Sequence, residues 1–170
     1  MASAPVFGVT GWKNSGKTTL VTRLITELTE RGYRVASVKH AHHTIDIDTP
    51  GTDSYRHRQA GAQEVALVAG SRWAIMHELA GEPEPSLETI ISRLGPSDIV
   101  MVEGFKREGH MKIEARRTES KKRVPLAPDD PQIVAIAADH EVENADRPVY
   151  DLDDIPGLAD LIISKCGLER

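Results

Sequence analysis

The sequence predicts an α/β fold in three layers, a mainly parallel sheet flanked by helices with some added antiparallel strands. Three observations predict it. Short apolar runs of strand length alternate with stretches of helical periodicity. A glycine-rich turn joins the first strand run to the first helical stretch. Several apolar runs close on a glycine or an acid, as buried strands do. With 170 residues, enough to bury a real core, the whole of 1–170 is expected to form a single domain.

The elements follow in order. "PVFGVT", residues 5–10, is a short run rich in β-branched and aromatic residues and reads as a buried strand. "KTTLVTRLITELTERG" places Leu20, Leu24, Ile25 and Leu28 at helical spacing and stops at Gly32. "YRVASVKH" is a second strand, and strand, turn, helix, strand begins a parallel sheet. Residues 40–53 carry a turn signal at Thr49-Pro50-Gly51 and read as a long loop, followed by a short helix from about Asp53 to Ala60. "EVALVAG" and "RWAIMHEL" are two strands turning at Gly70-Ser71. "SLETIISRLG" is an amphipathic helix capped by Ser86. "DIVMVEGF" is a buried strand ending at an acid and a glycine. "KIEARR" alternates and suits a more exposed strand. Residues 118–131 are polar and proline-rich, a mobile loop or partner contact. "QIVAIAADH" is another buried strand and "DIPGLADLIISKCG" a closing helix.

Composition narrows the function classes. Twenty-one basic against 26 acidic residues give a formal charge of -5, which supplies no broad cationic face for nucleic acid. No apolar run is long enough for a membrane span, and "MASAP" lacks the features of a secretory signal. The single Cys166 has no disulfide partner and reads as a helix-packing residue. A cytoplasmic location is expected.

The chemistry concentrates in "GVTGWKNSGKTTL". Gly11-x-x-x-x-Gly16-Lys17-Thr18 between a strand and a helix is a phosphate-cradling loop. Backbone N–H groups and a helix N-terminus converge there on an anion, Lys17 reaches the β- and γ-phosphates, and the Thr18 hydroxyl ligates Mg²⁺. Lys13 adds a second positive charge for phosphate or is a solvated loop lysine. Thr19 reaches the α-phosphate or is an ordinary first-turn residue. Trp12, inside the loop, is a packing residue or flanks the bound nucleotide. Glu103, at the C-terminal end of "IVMVE", stands where this fold class keeps an acid for Mg²⁺ or the attacking water, and Gly104 can donate its N–H to a γ-phosphate. Asp48 or Asp46 can reach the magnesium. His40, His42 and His43 suggest zinc only weakly, since no cysteine or second ligand pair stands nearby. Asp139 closes "IVAIAAD", where an acid accepts hydrogen bonds from guanine or merely caps a turn. Arg56, Arg58 and Arg107 are the arginines near a predicted strand end.

With those residues assembled, the chain resembles the molybdopterin-guanine dinucleotide biosynthesis adapter family, MobB. The resemblance runs over nearly the whole length, through "NSGKTTL", "VKHAHHTIDIDTPGTDSYRHRQAGA", "RWAIMHEL", "IVMVEGFK" and "IVAIAAD". It implies a P-loop protein that binds GTP with Mg²⁺ and is at best a weak GTPase. It further implies a homodimer that assists the MobA-type guanylyltransferase joining GMP to molybdopterin, with molybdopterin itself a candidate ligand. By position it puts Gly11, Trp12, Lys13, Asn14, Ser15, Gly16, Lys17, Thr18 and Thr19 on the phosphates and Glu103-Gly104 at the second nucleotide motif. Lys39, His40, Asp48 and Asp53 fall in the family's own loop. The alternative reading is a small-molecule kinase or an efficient NTPase, which needs arginines closing over the transferred phosphoryl group.

Overall fold

The computed structural model describes residues 4–41 and 47–168. His42, His43 and Asp46 lie outside them. The chain divides into two compact units, Met1–His40 with Leu87–Arg170, and Ala41–Ser86.

The larger unit is built on a six-stranded sheet. Its strands are β1 (Val6–Thr10), β2 (Val35–Lys39), β5 (Ile99–Glu103), β6 (Met111–Arg116), β7 (Ile133–Ala138) and β8 (Val149–Asp151). Their order across the sheet is β2-β5-β1-β6-β7-β8, and every neighbouring pair is parallel. Strand alternation then decides which side chains meet which helices. Phe7 and Val9 of β1, Met101 of β5 and Ile113 and Ala115 of β6 pack with α1 (Lys17–Glu30) and α4 (Ile155–Cys166). Leu20, Leu24 and Leu28 of α1 and Ile155, Leu158 and Ile162 of α4 present the facing apolar stripes. Each such side chain, once buried, contributes about 1.5–3 kcal/mol. On the opposite face Val100 and Val102 of β5 and Val38 of β2 meet Leu87, Ile90 and Ile91 of α3 (Leu87–Ser92). The result is the expected three-layer arrangement.

In the smaller unit, α2 (Asp53–Gln59) starts at Thr52, whose hydroxyl accepts from the Tyr55 N–H. Strands β3 (Glu64–Ala69) and β4 (Arg72–His77) form an antiparallel two-stranded sheet turning at Gly70-Ser71, the added antiparallel pair of the expectation. Arg58 joins this unit together, with ion pairs to Asp48 at 3.6 Å and Glu78 at 3.2 Å.

One expectation needs correcting. The stretch "KIEARR" is not an exposed strand. It lies between β1 and β7, and Lys112, Ile113, Glu114 and Ala115 are buried. Its charges are tolerated because each is partnered. Lys112 Nζ donates to the carbonyls of Lys106 and Glu108 and pairs with Asp130 at 3.0 Å. Glu114 accepts from the N–H groups of Leu126 and Ala127 and from Arg116. Those bonds also tie Leu126, Ala127 and Asp130 to β6, with a 3-10 turn at Ala127–Asp129 and Ser120 and Ala127 buried. Most of the other residues in 118–131 are exposed. Strand β8 was not anticipated. Its three residues, Val149 and Asp151 exposed and Tyr150 half-buried, carry no apolar run.

Candidate functional site

The phosphate loop leaves β1 and enters α1 through two unusual backbone positions. Gly16 is the N-cap at φ +86, a left-handed conformation, and no side chain caps the helix. Gly11 is pinched, since a methyl there would stand 2.4 Å from Ser15 Oγ and 2.6 Å from the Ala115 carbonyl oxygen. Asn14 also takes a left-handed φ of 65. The first N–H groups of α1 are thus left for an anion, with the positive end of the helix behind them.

In front of them opens a cleft of about 430 Å³ lined by Asn14, Gly16, Lys17, Thr18, Thr19, Arg117 and Glu119. Lys17 is half-buried, and its Nζ donates to the Trp12 carbonyl at 2.6 Å. Burial first, then the nearby Lys106 and Lys39 ammonium groups, hold the Lys17 pKa below its ordinary value, against the opposing pull of Glu103. At the back of the cleft Thr18 Oγ1 donates to Glu103 Oε1 at 2.7 Å. Parallel register explains the meeting, since Glu103 lies opposite Val9, one residue before the end of β1. The Lys39 ammonium stands 3.2 Å from the same Glu103 oxygen.

A second recess, of about 180 Å³, adjoins the first through Gly16, Thr19 and Arg117 and is completed by Leu20, Arg23, Asp139, Leu152 and Asp153. Asp139 Oδ1 accepts from the Thr118 N–H, the Thr118 hydroxyl and His140. The His140 bond above all, with those from Thr118, brings the Asp139 carboxyl down to about 2. It is ionised at neutral pH and serves only as an acceptor.

The structure thus brings Asn14, Gly16, Lys17, Thr18 and Thr19 onto one cleft, with Glu103 behind it and Asp139 in the adjoining recess. Other expected residues make contacts of their own. The Trp12 indole donates to the Val124 carbonyl at 2.7 Å, and the ammonium groups of Lys106 and Lys122 lie over its ring at 4.2 and 3.5 Å. Lys13 is exposed, and its carbonyl accepts from Ser120. The Gly104 N–H points to the Val9 carbonyl at a long 3.4 Å. His40 stacks on Phe105 with ring centroids 4.6 Å apart. Asp48 belongs to the smaller unit, where Ser54 and Thr52 donate to it and Arg58 pairs with it. Asp53 sits in the first turn of α2, where its charge favours the helix dipole. Among the described residues no group of three or more His, Cys, Asp or Glu side chains is placed to hold a metal.

Sequence reasoning missed Arg117, which stands where the two recesses meet, its Nη2 3.4 Å from Glu119 and its Nε 3.7 Å from Asp139. The available signal was its place directly after a strand. Reading that strand as exposed hid it.

Comparison with known proteins bears on this geometry. The family model described as "Molybdopterin guanine dinucleotide synthesis protein B" matches residues 6–139. The chain is 38% identical to the molybdopterin-guanine dinucleotide biosynthesis adapter protein of Escherichia coli (strain K12), over 94% of this chain and 91% of that protein. It is 42% identical to the adapter protein of the same description from Haemophilus influenzae, over 93% of this chain and 87% of the relative. Among solved structures, the crystal structure of a molybdopterin-guanine biosynthesis protein B superposes with a TM-score of 0.72 at 28% identity. That match covers 94% of this chain and 99% of the other.

Proposed function

This chain belongs to the molybdopterin guanine dinucleotide synthesis protein B family and has an adapter role in molybdopterin-guanine dinucleotide biosynthesis, and within that role we propose that it binds GTP and holds it for the pathway's guanylyltransferase. The observation that carries this reading is the uncapped start of α1 facing a cleft with Lys17 and the Thr18–Glu103 pair. The triphosphate lies along that cleft and the nucleoside enters the recess at Asp139. An ionised acceptor there suits guanine, whose N1–H and amino group both donate, and does not suit the unprotonated N1 of adenine.

A buried carboxylate hydrogen-bonded to the Thr18 hydroxyl fits Mg²⁺, with Thr18 and Glu103 as the residues that would hold it. Bound there, the ion would neutralise charge between the β- and γ-phosphates. No glutamine or histidine lines the phosphate cleft among the described residues, and its one arginine is engaged by Glu119 and near Asp139. Hydrolysis is accordingly expected to be slow, because no such side chain among the described residues lines the cleft to orient a water. Single-turnover assays with GTP and Mg²⁺ should show hydrolysis far below one per second. A rate on the order of tens per second, the range of competent phosphotransferases, would overturn the adapter reading.

A second copy of the chain is the partner that suits the smaller unit. Val68, Trp73 and Ile75 project from one face of the β3–β4 pair and are 77%, 68% and 54% exposed. A two-stranded sheet gains stability when its apolar face is covered, and a symmetric pairing of hairpins covers both faces at once. Trp73→Glu should convert a dimer into a monomer in sedimentation velocity while leaving GTP affinity within about twofold, since it changes only surface far in sequence from the phosphate loop. An unchanged sedimentation coefficient would place the dimer contact elsewhere. No helix among the described residues is long and apolar enough to cross a membrane.

A further inference from the structure

Lys39 ends β2, and its place is set by the sheet rather than by chance side-chain packing. Parallel pairing puts Lys39 opposite Glu103, and Glu103 opposite Val9, so the three side chains share the face that α1 covers. The Lys39 ammonium consequently lies 3.2 Å from Glu103 Oε1 and 3.4 Å from Thr18 Oγ1, the two atoms that also bond each other at 2.7 Å. Glu103 is enclosed, its side chain 11% exposed, whereas that of Lys39 is 58% exposed and reaches in from solvent.

We propose that Lys39 is the resident counter-cation of this site, its ammonium standing at the Thr18–Glu103 pair where a divalent ion would bind. The proposal rests on the nucleotide reading given above and adds how the site handles charge. An ammonium hydrogen-bonds oxygens near 3 Å, whereas Mg²⁺ demands about 2.1 Å and near-octahedral geometry. The two cations therefore compete for one pair of ligands. With Lys39 in place, Glu103 is neutralised and the cleft stays positive, so phosphates bind without metal. The metal that would neutralise charge as the γ-phosphate leaves must first displace a tethered competitor. The chain is thereby fitted to store a nucleotide intact.

The test compares wild type, Lys39→Met and Lys39→Arg. GTP is titrated calorimetrically with Mg²⁺ and with EDTA, and Mn²⁺ is titrated into the nucleotide-free proteins and followed by electron paramagnetic resonance. Wild type and Lys39→Arg should lose no more than about twofold in GTP affinity when metal is removed, and Lys39→Met about fivefold, the upper end of what an exposed charge pair contributes. Lys39→Met should bind Mn²⁺ at least about fivefold more tightly than wild type. Equal metal dependence in wild type and Lys39→Met, or Mn²⁺ binding no tighter in Lys39→Met, overturns the proposal. If no variant binds GTP, the nucleotide reading fails, and the Mn²⁺ comparison still decides the role of Lys39.

Discussion

Replacing Lys17 with alanine is expected to weaken GTP binding by about 100-fold or more, with little change in stability. Its ammonium contributes charge-assisted hydrogen bonds worth about 1.5–3 kcal/mol each when phosphate is present. Two such contacts exceed the roughly 2.7 kcal/mol that a 100-fold loss requires. In the protein without ligand the same group donates to the Trp12 carbonyl, in a half-buried place where burial and neighbouring cations depress its pKa. Removing it relieves that repulsion, so thermal stability should hold or rise slightly. Calorimetric titration and a melting curve on one preparation give both quantities. GTP affinity that survives the substitution would take the phosphate loop out of the account.

The other large effect concerns stability. Lys112→Met should lower unfolding free energy by about 3 kcal/mol, because removing one member of a buried ion pair leaves the other uncompensated. Lys112 is 1% exposed, and its Nζ serves the Lys106 and Glu108 carbonyls together with Asp130. Methionine fills the volume but satisfies none of the three. For a chain of this size the loss corresponds to about 6–12 °C in Tm. The carbonyls involved belong to the link between β5 and β6, which begins at Gly104 directly after Glu103. Loosening that link should also weaken GTP binding, by less than the Lys17 change. Urea denaturation measures the first effect, and a loss below about 1 kcal/mol would show that the link is held by other contacts.

What was legible in the sequence follows from how each element is buried. β1, β5 and β7 are covered on both faces, so they appear as unbroken apolar runs. α1 and α4 lie on the same face of the sheet, and each buries one stripe that shows at helical spacing. β6 misleads because its alternate positions are Lys112, Glu114 and Arg116. Alternation of charge with apolar residues ordinarily marks a solvated face, and only the partners supplied by residues 106–108 and 126–130 reverse that reading. No periodicity announces partners that arrive from elsewhere in the chain.

The site divides along the same line. Lys17, Thr18 and their neighbours are fixed by local backbone geometry, so a short motif specifies them. The meeting of Glu103 with Thr18 and Lys39 depends on which strands are neighbours. The order β2-β5-β1 brings the three together, and spacing along the chain does not state that order. Asp48 has the right chemistry for a cation, yet it is occupied by Ser54, Thr52 and Arg58 within its own unit. Arg117 and Asp139 become neighbours only because β6 and β7 pair.

A guanine nucleotide held by its phosphates at the start of α1 and by its base at Asp139 should be preferred to its adenine counterpart. Side-by-side calorimetric titration of GTP and ATP into the wild-type protein tests it most directly. GTP should bind at least about tenfold more tightly, the worth of one charge-assisted hydrogen bond from base to carboxylate. Equal affinity for the two nucleotides, or binding of neither, would contradict it.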